Sequence, residues 1–238
     1  MTVLDLLFPP RCPVCHGLAP VGEDFCPGCR EKLPVIRTRR CRKCGKPVPA
    51  GESLCEACRE GGYLFDEGLG LCLYAGSMKK TMSYLKYRGR AEYGRKLGRV
   101  LAEEEAVRIA AWRPAAVVPV PVHPSRLRSR GYNQAELIAA GVSEVSGIPL
   151  RTDLIFRKKE TAAMKTLSAG GRKEALRDAF SPAQGAGEAG IPGRALLVDD
   201  IYTTGATLDA CAHVLRGMGV RRVYFLTVCT GGGHLARF

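Results

Sequence analysis

The chain has 238 residues, 46% of them hydrophobic, which is enough for one or two domains with a full core. It carries 36 Lys and Arg against 23 Asp and Glu, and this formal net charge of +13 favours anionic partners such as phosphates or nucleic acids. No run of about 18 apolar residues occurs and the start lacks the features of a signal peptide, so we expect a cytoplasmic protein with no transmembrane segment.

Four Cys-x-x-Cys pairs dominate the first 60 residues, and the last two pairs repeat the spacing of the first two. Two such pairs complete a tetrahedral zinc site, whereas disulfides would not persist in the cytosol. We therefore expect two structural Zn²⁺ ions in sequential sites, with a cross-braced pairing as the alternative. The expected ligands are Cys12, Cys15, Cys26 and Cys29 in the first site and Cys41, Cys44, Cys55 and Cys58 in the second.

The chain divides after this cysteine-rich part. Residues 1–60 are too short and too rich in loops to fold on a core of their own, so metal is expected to hold them together. From residue 63 to 238 strands and helices alternate, which predicts an α/β domain with a mostly parallel sheet flanked by helices. Cys72, Cys211 and Cys229 stand in apolar surroundings and are expected to be buried.

The segment from Lys79 to Arg99 is the most basic part of the chain, with eight basic residues, one acid and three interleaved tyrosines. It lies in a helix predicted from Met78 to Glu105 with a break near Gly89. Basic residues with stacking aromatics are typical of single-stranded nucleic-acid binding, and they also suit a polyphosphate. The alternative is a solvated helix face whose tyrosines anchor in the core.

A predicted strand from Ala116 to His123 contains two prolines that end its pairing. Three arginines follow, before a helix predicted from Asn133 to Val145 that stops at Gly147. Arginines ahead of a helix make an anion site, so this segment is a candidate for binding phosphate groups. The arginines are Arg126, Arg128 and Arg130.

The segment from Ala195 to Thr207 is the most informative in the chain. Ala195 to Val198 reads as a buried strand, two carboxylates follow, and a Thr/Gly turn leads into a helix predicted from Thr207 to Met218. Backbone N–H groups at such a turn suit a phosphate. Carboxylates beside a phosphate suit ribose hydroxyls and Mg²⁺ instead. The pattern therefore favours a phosphorylated sugar, whereas a generic strand–turn–helix is the alternative.

This segment resembles the phosphoribosyl-pyrophosphate (PRPP) motif of type I phosphoribosyltransferases. The resemblance implies that Asp199 and Asp200 hold the ribose hydroxyls while the following loop holds the 5′-phosphate. The implied PRPP-binding residues, with Mg²⁺ as the accompanying ion, are Asp199, Asp200, Thr203, Thr204, Gly205, Ala206 and Thr207.

Further motifs along the chain resemble the ComF family. They are the opening Leu7 to Cys12, the basic Lys86 to Gly89, and the segment from Pro119 to Gln134. The family implies an N-terminal double zinc ribbon followed by a type I phosphoribosyltransferase-like domain. Its motifs imply a pyrophosphate or loop role for Lys86, Arg88, His123, Arg126, Arg130, Arg157 and Lys158.

The chain departs from the family pattern between residues 161 and 175. Thr161 to Met164 replaces the usual Thr-Pro-Pro-Gln, and Arg172 to Ala175 replaces the usual Arg-x-x-Asn. An amide is lost twice, so Met164 and Ala175 are not candidate site residues.

The family resemblance implies a PRPP-binding protein that takes part in DNA uptake and natural transformation. It would handle single-stranded DNA in the cytoplasm, with other competence proteins as further partners. The alternative is an active phosphoribosyltransferase that transfers phosphoribose to a nucleobase or a related acceptor. No unique nucleophile or general base is visible in the sequence, so enzyme activity stays an open alternative.

Overall fold

A computed structural model of the chain describes residues 9–159, 176 and 178–231. Two parts of the family resemblance lie outside the described residues. They are the opening motif up to Phe8 and the two departures from the family pattern between 161 and 175.

A parallel β-sheet forms the centre of the protein. The described strands are β1 (Glu67–Leu73), β2 (Ala116–Pro119), β3 (Ile155–Arg157), β4 (Phe180–Pro182), β5 (Arg194–Tyr202) and β6 (Arg222–Thr230). Four of them pair in the order β1-β6-β5-β2, all parallel, while β3 and β4 form a separate antiparallel pair. The run Ala195–Val198 is buried, as expected for a strand with both faces covered.

Helices cover both faces of this sheet, which confirms the predicted fold class. The described helices are α1 (Pro27–Glu31), α2 (Glu56–Arg59), α3 (Gly76–Tyr87), α4 (Glu92–Glu104), α5 (Ala106–Trp112), α6 (Pro124–Arg130), α7 (Gln134–Ser146) and α8 (Ala206–Gly217). Side chains of α3, α4, α5 and α7 pack into one hydrophobic cluster, and those of α8 pack into another. In the described part of the chain no helix has the length and apolar character needed to cross a membrane.

Local signals set the helix ends where the sequence predicted them. The long basic helix breaks at Gly89, whose φ of 67° ends α3 and starts the turn to α4. Asn133 caps α7 by accepting a hydrogen bond from the Ala135 N–H, and Gly147 ends that helix with φ 69°.

Helices α4 and α7 cross at glycines. A Cβ atom at Gly98 would lie 2.0 Å from the Ile138 carbonyl oxygen, and one at Gly141 would lie 2.1 Å from the Arg95 carbonyl oxygen. The two backbones are therefore in direct contact, and this contact fixes the position of α4 relative to α7.

The two cysteine-rich units pack on opposite faces of the sheet. Cys12 and Phe25 of the first unit join the cluster of α3 and α4, whereas Cys41 and Val48 of the second join the cluster of α8. Each unit thus completes the hydrophobic core on its own side.

The structure differs from the predicted elements in three places. Strand β5 continues through the carboxylates to Tyr202 because it pairs with β6 along its whole length. The arginine segment forms the short helix α6, which His123 caps. Ser181 and Pro182 belong to the short strand β4, which was not among the predicted elements.

Candidate functional site

Asp199 and Asp200 lie on β5 near its carboxyl end, and they face different neighbours. Successive side chains on a strand point to opposite faces of the sheet. Asp200 is buried and forms an ion pair with Lys86 of α3, at 2.8 Å between Nζ and Oδ2. Asp199 is half-buried, and its carboxylate interacts with Arg157 of β3. The two acids therefore offer two distinct environments rather than one paired site.

The pKa of Asp199 is raised to about 7. Burial of the carboxylate is the main cause, and the negative charge of Asp200 adds to it. The Asp200 backbone N–H, which donates to Asp199 Oδ1 at 2.8 Å, and the charges of Lys86 and Arg157 oppose the shift. A cation or a hydroxyl donor at this position would favour the ionised form.

Lys86 stays charged although it is largely enclosed. Burial alone would lower the pKa of its ammonium group, but the carboxylates of Asp200 and Asp199 outweigh burial and the net shift is upward. The ion pair therefore compensates the buried charge of Asp200.

The loop Thr203–Thr207, the predicted phosphate loop, connects β5 to α8. Gly205 has φ 82° and is the residue before the first turn of α8. The first amides of a helix have no acceptor within the helix, so they point outward together. The Ala206 N–H reaches Thr204 Oγ1 at 3.4 Å, and Tyr63 donates a hydrogen bond to the Thr204 carbonyl oxygen at 2.8 Å. This geometry suits an anion of phosphate size.

A cationic cavity of about 590 Å³ opens beside the acidic pair. Lys86 belongs to its wall and to the ion pair with Asp200, so it joins the cavity to the carboxylates. The Arg130 guanidinium lies 5.6 Å from the centre of the Tyr87 ring and forms a cation–π contact. The lining residues are Lys86, Tyr87, Gly89, Arg126, Ser129, Arg130 and Tyr132.

The other candidate residues from the family resemblance lie at different distances from this centre. His123 caps α6, and its Nδ1 lies 2.8 Å from Ser125 Oγ. Arg157 interacts with Asp199, as described above. Arg88 is exposed at the end of α3. Lys158 lines a separate pocket with Gly217, at the far end of α8 from the phosphate loop.

The basic segment between Lys79 and Arg99 does not form one continuous face. Tyr93 is buried, and Tyr84 stacks on His16 at 4.1 Å between ring centres. Lys96 is buried as well and donates to the Arg11 carbonyl oxygen at 3.1 Å. The α4 half of the segment thus holds the first cysteine unit, and the cationic surface left to a ligand lies around the cavity.

The structure brings the cysteines together as two sequential quartets. Each set of four Sγ atoms lies within 4.8 Å of one another. Four thiolates at this spacing fit one tetrahedral Zn²⁺ per site. This arrangement agrees with the sequential prediction and not with the cross-braced alternative. The quartets are Cys12, Cys15, Cys26 and Cys29, and Cys41, Cys44, Cys55 and Cys58.

Two residues beside the phosphate loop were missed by the sequence analysis. Tyr63 lies 141 positions from Thr204 in the chain, at the start of the predicted α/β domain. Lys46 follows the third cysteine pair, and its ammonium lies 5.2 Å from the centre of the Tyr202 ring. Neither belongs to a motif, so only the packing of the second cysteine unit on β5 could reveal them.

Comparison with known proteins identifies the double zinc ribbon and finds relatives that extend beyond it. The family model of the double zinc ribbon domain matches residues 3–59. Competence protein F of Haemophilus influenzae is 40% identical over 111 residues, which cover 46% of this chain and 48% of that protein. The DNA utilization protein YhgH of Escherichia coli is 31% identical over 160 residues, which cover 66% of this chain and 68% of YhgH.

Among solved structures, the glutamine PRPP amidotransferase of B. subtilis aligns with a TM-score of 0.42 and 22% identity. The alignment covers 62% of this chain and 30% of that chain. Of the two curated relatives, the chain spans about half the length of competence protein F and about two thirds of YhgH. By its identity to these relatives and its double zinc ribbon, the chain belongs to the ComF family.

Proposed function

We propose that the chain binds PRPP together with Mg²⁺ at the carboxyl edge of the parallel sheet, in the cytoplasm. One observation carries this proposal. Strand β5 carries a half-buried carboxylate, Asp199, near its carboxyl end, and the Gly-containing loop that follows the strand ends at the first turn of α8. The site thus combines oxygen ligands with backbone phosphate donors, and PRPP needs both.

Each part of PRPP has a matching group. The amides and hydroxyls of Thr203–Thr207 would bind the 5′-phosphate, and Asp199 would accept hydrogen bonds from the ribose hydroxyls. Lys86, Arg126 and Arg130 in the cavity wall would face the pyrophosphate. When bound, Mg²⁺ would add positive charge between the pyrophosphate oxygens.

Calorimetric titration with PRPP and Mg²⁺ tests this proposal. The wild-type chain should bind with a stoichiometry of one, and Asp199→Asn should weaken binding while the fold stays intact. Glu103→Gln, on the exposed side of α4, is the matched control and should bind as the wild type does. Absence of heat at millimolar PRPP would refute the proposal.

A second candidate function is the binding of single-stranded DNA at the cavity rim. Tyr87 is 74% exposed, and Arg130 contacts its ring, so an aromatic platform stands within a cationic wall. Bases stack on such platforms without regard to sequence. The name of one relative, DNA utilization protein YhgH, also refers to DNA. Other competence proteins would then be natural partners.

Binding of a labelled oligonucleotide at several salt concentrations tests the DNA proposal. Tyr87→Ala should lower affinity by about 1–3 kcal/mol at every salt concentration. Replacing Arg88 and Arg126 by Ala should flatten the log–log salt slope by about 0.7 per lost phosphate contact. Arg95→Ala is the control, because Arg95 pairs with Glu144 away from the cavity. Failure of the wild-type chain to retain the strand at low salt would exclude this function.

The cavity also favours a specific alternative, transfer of phosphoribose to an acceptor. Lys86, Arg126 and Arg130 could stabilise pyrophosphate as it leaves the ribose. Release of pyrophosphate from PRPP in the presence of a nucleobase would support this activity, and PRPP binding without release would support the binding function instead.

A further inference from the structure

The segment that follows the second cysteine unit touches the phosphate loop directly. Tyr63 follows the last cysteine pair of this unit and donates a hydrogen bond to the Thr204 carbonyl oxygen at 2.8 Å. The next residue, Leu64, donates its backbone N–H to Asp209 Oδ1 at 2.6 Å, in the first turn of α8. The loop and the first turn of α8 are therefore both hydrogen-bonded to the segment that follows the second cysteine unit.

Tyr202 provides a second contact between the unit and the loop. Its buried side chain lies under the Lys46 ammonium, 5.2 Å from the ring centre. A Cβ atom at Gly205 would lie 2.7 Å from the Tyr202 hydroxyl oxygen. The ring stacks on Phe225 of β6 at 5.1 Å between centres, so its position is fixed. The left-handed turn at Gly205 thus packs against the Tyr202 side chain, and Lys46 of the second unit covers that side chain.

The two phenols also lie next to the metal ligands. Cys44, Cys58 and Tyr202 belong to one hydrophobic cluster, and Tyr63 packs against it. Tyr63 also stacks on Phe65, at 4.9 Å between ring centres. The second metal site, the two tyrosines and the loop therefore form one contiguous group.

The first cysteine unit makes contacts of a different kind. Thr81 of α3 donates to the Pro13 carbonyl oxygen at 2.6 Å, and Arg99 of α4 forms an ion pair with Asp24 at 2.5 Å. These contacts lie in the cluster on the other face of the sheet. The first unit therefore supports the helices of that face, and among the described residues none of its hydrogen bonds or ion pairs reaches the phosphate loop.

We propose that the second metal site, acting through Tyr63 and Tyr202, positions the phosphate loop, whereas the first metal site supports only the fold. The consequence for ligand affinity rests on the proposed function, but the effect on the loop itself does not. Loss of metal from the second site would release the Thr204 carbonyl and the turn at Gly205, and the amides would no longer point together.

Hydrogen exchange of the loop amides tests this without any ligand. Cys55→Ser in the second site and Cys26→Ser in the first are matched, because each removes the third, half-buried cysteine of its quartet. Cys55→Ser should speed exchange of the amides in 203–207 by about tenfold or more, and Cys26→Ser should leave them as in the wild type. Zinc content and far-UV circular dichroism verify that each variant has lost one ion and kept its fold.

Tyr63→Phe isolates the contact even if the cysteine variants do not fold. It removes one hydrogen bond to the loop and no metal ligand, so exchange in 203–207 should rise and PRPP affinity should fall about two- to tenfold. Zinc content and the melting temperature without ligand should stay at the wild-type values. Tyr224→Phe, near the amino-terminal end of β6 and so at the other end of the strands from the loop, is the control.

Three results distinguish the outcomes. The inference would be overturned if the 203–207 amides of Tyr63→Phe exchanged at the wild-type rate, or if Cys26→Ser and Cys55→Ser changed that rate equally. Neither result would contradict PRPP binding by the wild-type chain. The third result is a wild-type chain that binds no PRPP, together with faster exchange of the 203–207 amides in Cys55→Ser but not in Cys26→Ser. It would refute the proposed function and support the inference.

Discussion

Asp199 and Asp200 are neighbours in the chain with different electrostatic environments. Lys86 compensates the charge of Asp200 across 2.8 Å, whereas burial and the charge of Asp200 raise the pKa of Asp199 to about 7. Asp200 therefore acts as the fixed anion that holds Lys86 in the cavity wall. Asp199 is the carboxylate whose ionisation a bound cation or ribose would change.

Affinity for PRPP with Mg²⁺ should therefore depend on pH through Asp199. The ligand favours the ionised carboxylate, so affinity should rise with pH up to about 7 and then level off. Below that value it should fall by up to about tenfold per pH unit, because one proton must leave. Calorimetry between pH 5.5 and 8.5 measures this profile. Asp199→Asn serves as the control for titration of the ligand, and an identical profile in that variant would contradict the assignment.

The sequence predicted the residues of this site better than their arrangement. The strand, the acid pair and the loop are local features, so thirteen consecutive residues sufficed to predict them. The ion pair between Lys86 and Asp200 and the bond from Tyr63 to Thr204 join distant segments. Such contacts depend on how helices and cysteine units pack on the sheet, which a motif does not encode.

The crossing of α4 and α7 is a contact between elements that restricts the residues allowed there. Helix α4 carries Lys96 and Arg99 toward the first zinc ribbon, and α7 follows the arginine-rich α6 at the cavity. Gly98 allows the two backbones to touch, with no space for a methyl group. This contact therefore joins α4, which contacts the first zinc ribbon, to α7, which follows α6 at the cavity.

Gly98→Ala should destabilise the fold although alanine favours helices. The added methyl group would overlap the Ile138 carbonyl, and relief of such overpacking costs about 1–3 kcal/mol. Gly217→Ala in α8 is the control, since nothing lies within 4 Å of its added Cβ. Urea unfolding of both variants measures the difference. Equal stability of Gly98→Ala and the wild type would show that the helices separate without cost.

At the scale of the whole molecule, the two zinc ribbons serve as parts of one core. They pack on opposite faces of the sheet, and ion pairs attach them to the last residue of α4 and to the residue after it. Arg30 binds Glu104 at 2.9 Å, and Arg40 binds Glu105 at 2.6 Å. The proposed division into 1–60 and 63–238 thus follows the metal sites, while the hydrophobic clusters run across it.

Purified, untagged chain should contain two zinc ions, one for each quartet. Ions that bind only the folded chain stabilise it, so chelation should lower the melting temperature. It should also expose the part of each hydrophobic cluster that a zinc ribbon covers. Elemental analysis and thermal melts with and without a chelator measure both effects. A zinc content below one per chain in fully folded protein would contradict the two-site account.

The central claim is that β5, the loop after it and the start of α8 form a PRPP site. A crystal structure of the chain grown with PRPP and Mg²⁺ tests it most directly. The 5′-phosphate should lie over the amides of Gly205, Ala206 and Thr207, with the ribose hydroxyls against Asp199 and the pyrophosphate toward Lys86 and Arg130. Ligand density at any other place on the chain, with this loop empty at saturating PRPP, would contradict the account.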